Sequence, residues 1–156
     1  MATYRVIGVG EHRKYFDGQA YRNTTNYILN PQKAQYAGGC GITSLATAAQ
    51  EMEQTAETYQ KNSGKRVRHS VLSFDADEHI TPEQADQFAR EILQRYGSEY
   101  QILYAVHTNT DDVHIHMVMN QISFIDGHRY QGKKQDYYAF LSHMRHVTHL
   151  PVIPVK

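Results

Sequence analysis

The chain has 156 residues, 40% of them hydrophobic and 21% charged, with 16 basic residues balanced by 16 acidic ones. That is enough apolar material for one core of ordinary domain size and too little net charge for a disordered tail; the neutral balance also removes the simplest argument for nucleic-acid binding, a strongly basic surface. No run approaches the roughly 18 consecutive apolar residues of a membrane span, the first residues lack the apolar stretch and cleavage site of a signal peptide, and the lone Cys40 can form neither an internal disulfide nor a thiolate zinc site, so the reading is a single cytoplasmic domain over residues 1–156.

In chain order, residues 4–9 are apolar and β-branched and predict a strand ended by Gly10. A loop carrying His12, Arg13, Lys14 and Gly18 follows. Residues 19–29 predict a helix that stops at Asn30-Pro31, because the residue before a proline avoids the helical region. Ala37-Gly38-Gly39-Cys40-Gly41 reads as a flexible turn, after which Thr43 or Ser44 caps a helix running to about Asn62, with Leu45, Ala48, Ala49, Met52 and Ala56 near helical spacing. Gly64 ends that element, and residues 67–74 predict a strand. The next helix has the clearest start: Thr81 as N-cap, Pro82 at the first helical position and Gln84 to complete a capping box. Phe88, Ile92, Leu93 and Tyr96 form its apolar stripe and Gly97 stops it. Residues 101–107 and 113–123 predict two strands joined by a polar loop, and a last helix over 135–148 closes the chain before Pro151. Sequential strands with a tight connection imply antiparallel pairing, so the fold class is α+β: a largely antiparallel central sheet flanked by helices.

The informative stretch runs from His107 to Asn120. Side chains alternate along a strand, so His114, His116, Val118 and Asn120 point one way while Ile115, Met117 and Met119 point the other. The second set suits a core; the first is too polar for one. If the loop spans residues 108–113, His107 lies opposite His114 with Cβ atoms about 4.5–5.5 Å apart, and His116 comes next on the same face. A bare His-x-His pair is more often a solvated strand face that binds nothing. The third imidazole at hairpin spacing turns the balance towards a divalent metal site with an open position, a Lewis acid for a carbonyl or phosphoryl oxygen.

At this point the chain resembles a known family. The histidine pattern with Asn120, preceded by a strand and followed by Gln121-Ile122-Ser123-Phe124, is similar to the three-histidine motif of the plasmid mobilization nucleases, or relaxases, of the HUH endonuclease superfamily. Thr25-Asn26-Tyr27-Ile28-Leu29-Asn30-Pro31 resembles the family's N-terminal motif, whose tyrosine is the nucleophile, and Arg68-His69-Ser70-Val71-Leu72-Ser73-Phe74 resembles its middle motif, whose serine lies by the bound DNA. The resemblance implies an HUH-like fold in which Tyr27 attacks a phosphodiester of single-stranded DNA at an origin of transfer, with a hairpin adjacent. The product is a 5′-phosphotyrosyl enzyme and a free 3′-hydroxyl, so the strand can be rejoined without ATP. It also implies that His107, His114 and His116 hold a divalent metal (Mg, Mn, Zn, Ni or Co), that accessory mobilization and coupling proteins take part, and that the setting is the bacterial cytoplasm. Many relatives carry an aspartate where this chain has Asn109; Asp111 and Asp112 remain close by, but the resemblance assigns neither of them to orient a ligand histidine.

Basic residues flank the motifs. Arg129, Lys133 and Lys134, with Tyr130, Tyr137 and Tyr138 nearby, predict a phosphate-tracking groove with aromatic stacking, and Arg68, Ser73 and Asn120 join the expected DNA contacts. Two alternatives stay open: a replication-initiator or transposase-like nuclease using Tyr137 or Tyr138, and a module that binds an origin without cutting it. His12, His69, His79, His128, His143, His146 and His149 receive no metal role, although His69 can approach DNA, and Cys40 has no partner.

Overall fold

Residues 1–8 and 15–155 are described by the structure, a computed structural model; Gly10, His12, Arg13 and Lys14 lie outside the described residues. In chain order the elements are β1 (Ala2–Val6), α1 (Ala20–Ile28), β2 (Ala34–Cys40), α2 (Ala48–Thr58), β3 (Val67–Phe74), α3 (Pro82–Gly97), β4 (Ile102–His107), β5 (His114–Asn120), α4 (Lys134–Thr148) and β6 (Val152–Val155). The strands form one six-stranded sheet in the order β2-β4-β5-β3-β1-β6. Every neighbouring pair is antiparallel except β1 and β6, which run parallel. This is the expected α+β class. Among the described residues no helix is long and apolar enough to cross a membrane.

Both faces of the sheet are covered. On one, Leu72, Ile115, Met117 and Met119 pack against Ile92 and Leu93 of α3 and Phe140, Leu141 and Met144 of α4. On the other, Leu103, Ala105 and Val118 pack against Tyr21 and Ile28 of α1 and against Ala48, Met52 and Ala56 of α2. From His116 to Asn120 the polar-looking side of β5 is therefore buried too, with His114 half-buried at its end, which corrects the expectation that this side was too polar for a core. Each polar side chain there has a hydrogen-bond partner, the condition under which such burial is tolerated. The Asn120 amide, fully buried, donates to the Met52 carbonyl (3.2 Å) and to Gln101 Oε1 (3.0 Å), and its Oδ1 accepts from Tyr21 Oη (3.3 Å) and the Ile122 amide (3.1 Å).

Three further expectations change. The Gly38-Gly39 segment is an edge strand, not a flexible turn: it pairs with β4, and a Cβ at Gly38 would sit 2.8 Å from the Tyr104 ring, so glycine is what admits that ring against the backbone. The helix expected to reach Asn62 ends at Thr58, because Gln60 takes a left-handed φ of 57°. Beyond Pro151 the chain adds β6, a four-residue strand too short to announce itself in the sequence. The α3 start is as expected, with Thr81 and Gln84 closing a reciprocal capping box. Cys40 packs against Gly97 at the end of α3, where burial raises its thiol pKa, so it is a packing residue.

Candidate active site

The β4–β5 hairpin pairs His107 with His114 and Ala105 with His116, the register the loop length predicts. Ring centroids are 4.0 Å apart for His107 and His116, 5.1 Å for His114 and His116, and 5.4 Å for His107 and His114. One nitrogen from each lies within 4.8 Å of the others, so a modest closing brings three donors onto one ion.

The other nitrogens decide which lone pairs are available. A neutral imidazole carries one N–H and one lone pair, and a backbone carbonyl can only accept. His107 Nε2 lies 2.7 Å from the Ile28 carbonyl, so Nε2 holds the proton and Nδ1 the lone pair. His114 Nδ1 lies 2.8 Å from the Asp112 carbonyl, so its Nε2 holds the lone pair. His116 Nδ1 instead meets a side chain, His69 Nε2, at 2.9 Å, and His69 Nδ1 meets Tyr15 Oη at 3.0 Å. Burial pushes the His116 pKa down to about 2, with the neighbouring His107 and His69 adding to the effect. Burial also lowers His107, against the opposing pull of the Ile28 carbonyl. Both are therefore neutral at physiological pH, the state a metal ligand requires.

The tyrosine reaches the same place through helix geometry. The buried side of α1 takes Ala20, Tyr21, Thr24, Thr25 and Ile28, which leaves Tyr27 on the flank, 45% exposed. Its ring centroid lies 5.9 Å from those of His69 and His116 and 6.4 Å from that of His107. The last carbonyls of a helix lack intrahelical partners, and Ile28, next to Tyr27, gives its carbonyl to His107. The end of the tyrosine-bearing helix is thus tied to one of the imidazoles. A tight turn follows, in which the Asn30 carbonyl accepts from the Lys33 and Ala34 amides, both at 2.9 Å, and Asn30 Oδ1 accepts from Gln32 at 3.0 Å. It returns Lys33 over the Tyr27 ring, with Nζ 4.8 Å from the centroid. Tyr27, His114 and His116 open with Thr3, Arg5 and Ser73 onto a cleft of about 450 Å³.

The remaining expected DNA contacts lie elsewhere. Arg68 alternates to the α3/α4 face, where its guanidinium sits 5.3 Å from the Tyr130 ring centroid. Arg129 spends its guanidinium on the Lys65 (2.7 Å) and Ser63 (2.6 Å) carbonyls. Asn120 is sealed in the core and has no surface to offer DNA in this conformation. Lys133 and Lys134 stand at the start of α4, and Lys133 lines a second cleft of about 460 Å³ with Arg129, Tyr100 and Tyr130. Tyr137 packs on Tyr4 with centroids 6.0 Å apart, and Tyr138 is 52% exposed; both belong to α4, across the sheet from the histidines. Arg5 and Lys33, which flank the histidine cleft, were missed by the sequence reading, as was the contact of His69 with His116. For Arg5 the signal lies in the β1–β3 register, which sets it beside Val71; for Lys33 it lies in a turn.

A tyrosine beside three convergent imidazoles, on a hairpin of a largely antiparallel sheet, defines a centre suited to metal-assisted phosphoryl transfer. The family model for the MobA/VirD2-like nuclease domain of relaxases matches residues 27–149, and the chain belongs to this family of DNA relaxase enzymes, which nick DNA in mobilization. Among its relatives are the group II intron-interrupted relaxase LtrB of Lactococcus lactis, 28% identical over 139 aligned residues covering 71% of this chain and 25% of that protein, and an rlx protein of Staphylococcus aureus, 31% identical over 110 residues covering 70% and 32%. Protein TraI of Escherichia coli is 28% identical over 109 residues covering 65% and 15%. This chain spans a third or less of the length of each of these three.

Proposed function

We propose that this domain cuts and rejoins single-stranded DNA at an origin of transfer by transesterification, with Tyr27 as nucleophile. The observation that carries the reading is the position of the Tyr27 ring, 5.9 Å from that of His116, in the cleft shared with His114. Tyr27 Oη attacks phosphorus, the bond from phosphorus to the 3′ oxygen breaks, and the strand leaves with a free 3′-hydroxyl while its 5′ phosphate stays on the tyrosine. The reverse step reseals the strand, since the phosphodiester energy is kept in the phosphotyrosyl bond.

His107 Nδ1 and the Nε2 atoms of His114 and His116 are the proposed ligands of a divalent metal, and three convergent imidazole nitrogens with an open side fit one. Such an ion, when bound, supplies positive charge to the scissile phosphate. The Lys33 ammonium adds charge beside the phenol, and Arg5 and Ser73 line the path of the strand. Lys133 and Lys134, on the far side, are proposed to meet DNA flanking the nick, including an adjacent hairpin. The remaining partners are accessory mobilization and coupling proteins, in the bacterial cytoplasm.

The test is to incubate the protein with origin-derived single strands and a divalent metal and to look for an SDS-resistant adduct. Tyr27→Phe is expected to abolish it, while Tyr137→Phe and Tyr138→Phe keep it. Loss of adduct only in the α4 variants transfers the nucleophile to that helix, and binding without adduct in the unaltered protein makes the domain an origin-binding module.

A further inference from the structure

Two of the three convergent imidazoles are wired by backbone carbonyls, which can only accept, so their tautomers follow from the fold. The third is wired by a side chain that can play either part. Three buried groups, Tyr15 at 0% exposure, His69 at 2% and His116 at 6%, form a line with contacts of 3.0 and 2.9 Å. With neutral rings only two proton arrangements satisfy it. In one, Tyr15 donates to His69 Nδ1, His69 Nε2–H donates to His116 Nδ1, and the proton of His116 sits on Nε2, pointing among the other two rings and blocking a cation. In the other, His116 Nδ1–H donates to His69 Nε2, His69 Nδ1–H donates to Tyr15 Oη, and His116 Nε2 presents its lone pair.

We infer that His69, backed by Tyr15, is the positioning residue that sets His116 in its metal-ligating tautomer, a neutral imidazole doing the work for which metal sites commonly use a carboxylate. This rests on the metal reading of the preceding subsection. A carboxylate partner would bring a negative charge against the ligand ring; a neutral His69 adds none there, which leaves Asp112 as the acidic residue among those lining the cleft. The absence of a marked carboxylate at Asn109 then has a structural answer, since the orienting group comes from β3 and not from the loop after His107.

The experiment titrates metal-free protein with Co²⁺ and records long-range ¹H–¹⁵N correlations of the histidine rings in Zn²⁺-loaded protein. His114→Ala serves as the control for the site itself: if the unaltered protein takes up no Co²⁺, or His114→Ala binds equally well, the metal reading fails. Given binding through the triad, His69→Leu, which offers no acceptor, is expected to weaken Co²⁺ affinity about 10–100-fold. His69→Gln, whose side-chain oxygen can accept from His116 Nδ1–H, should stay within a few-fold of the unaltered protein, and Tyr15→Phe should fall between the two. A purely structural role for His69 would not separate Leu from Gln in this way. The ring spectra decide the matter even where a variant fails to fold: protonated Nδ1 and bare Nε2 on His69, with protonated Nδ1 on His116, support the inference. A protonated Nε2 on His69 in the loaded protein, or equal Co²⁺ affinity in the Leu and Gln variants, overturns it.

Discussion

The two faces of the sheet hold their helices by different means. Under α3 and α4 the buried centre is hydrocarbon and aromatic ring, with Ile115, Met117, Leu72 and Phe140 meeting by shape, and the directed hydrogen bonds, from Tyr104 to Asp86 and from Tyr96 and Tyr130 to Asp136, lie at its margin. Under α1 and α2 the same strand, β5, presents His114, His116, Val118 and Asn120, and the interface is held as much by directed hydrogen bonds as by packing. Apolar contacts tolerate small shifts, whereas a chain such as Tyr15–His69–His116 fixes ring orientation and proton position. The second kind of interface is what a catalytic centre needs, and the first supplies the rigidity that lets it persist.

The largest expected effect separates the faces by chemistry. Tyr27→Phe removes all covalent DNA adduct on a denaturing gel, whereas Tyr138→Phe, on the opposite helix, leaves its yield unchanged. The next separates them by stability. Ile115→Ala, fully buried on the apolar face, is expected to cost about 2–5 kcal/mol in denaturant unfolding, with adduct yield per folded molecule retained. Asn120→Ala removes the centre of the polar interface and is expected to cost about 1–3 kcal/mol, by taking the acceptor from the Tyr21 hydroxyl and the Ile122 amide. If the two substitutions proved equal in both stability and adduct yield, the distinction between the faces would have no energetic meaning.

Acid sharpens the comparison further. The fold holds His116 and His107 below the ordinary imidazole value, while the unfolded chain takes up those protons near pH 6.5. Below that pH the unfolded state binds more protons, so this contribution is fully present above about pH 6.5 and drains away as the pH falls towards the folded value of about 2 for His116. Metal-free protein should lose on the order of 1 kcal/mol per pH unit through His116 between about pH 6 and 5, with His107 acting in the same direction. His116→Gln is expected to flatten the slope, and Met117→Leu, on the other face, to leave it unchanged. The smallest effect belongs to the surface: Lys133→Gln should reduce the salt dependence of DNA binding by about 0.7 in the log–log slope for a lost single-strand phosphate contact. An unchanged slope removes Lys133 from the DNA path.

The hairpin register, the fold class, the α3 capping box and the convergence of His107, His114 and His116 were legible in the sequence, because each rests on local periodicity, on turn length or on capping chemistry a few residues apart. The Gly38-Gly39 strand was not, since a glycine pair signals a turn unless one knows that the Tyr104 ring lies across it. Arg68 illustrates the same limit: its motif suggested DNA, and strand alternation combined with the actual layering sent it to the other face. By itself the sequence determined the chemistry on offer, a tyrosine and three imidazoles at the right spacings. Only the tertiary structure decided that α1 lies over the histidine face, that the Ile28 carbonyl and His69 assign the protons, and that Lys33 and Arg5 flank the cleft. The two histidine contacts join residues 47 and 79 positions apart along the chain, and no local pattern of residues encodes which distant carbonyl or ring a histidine will meet.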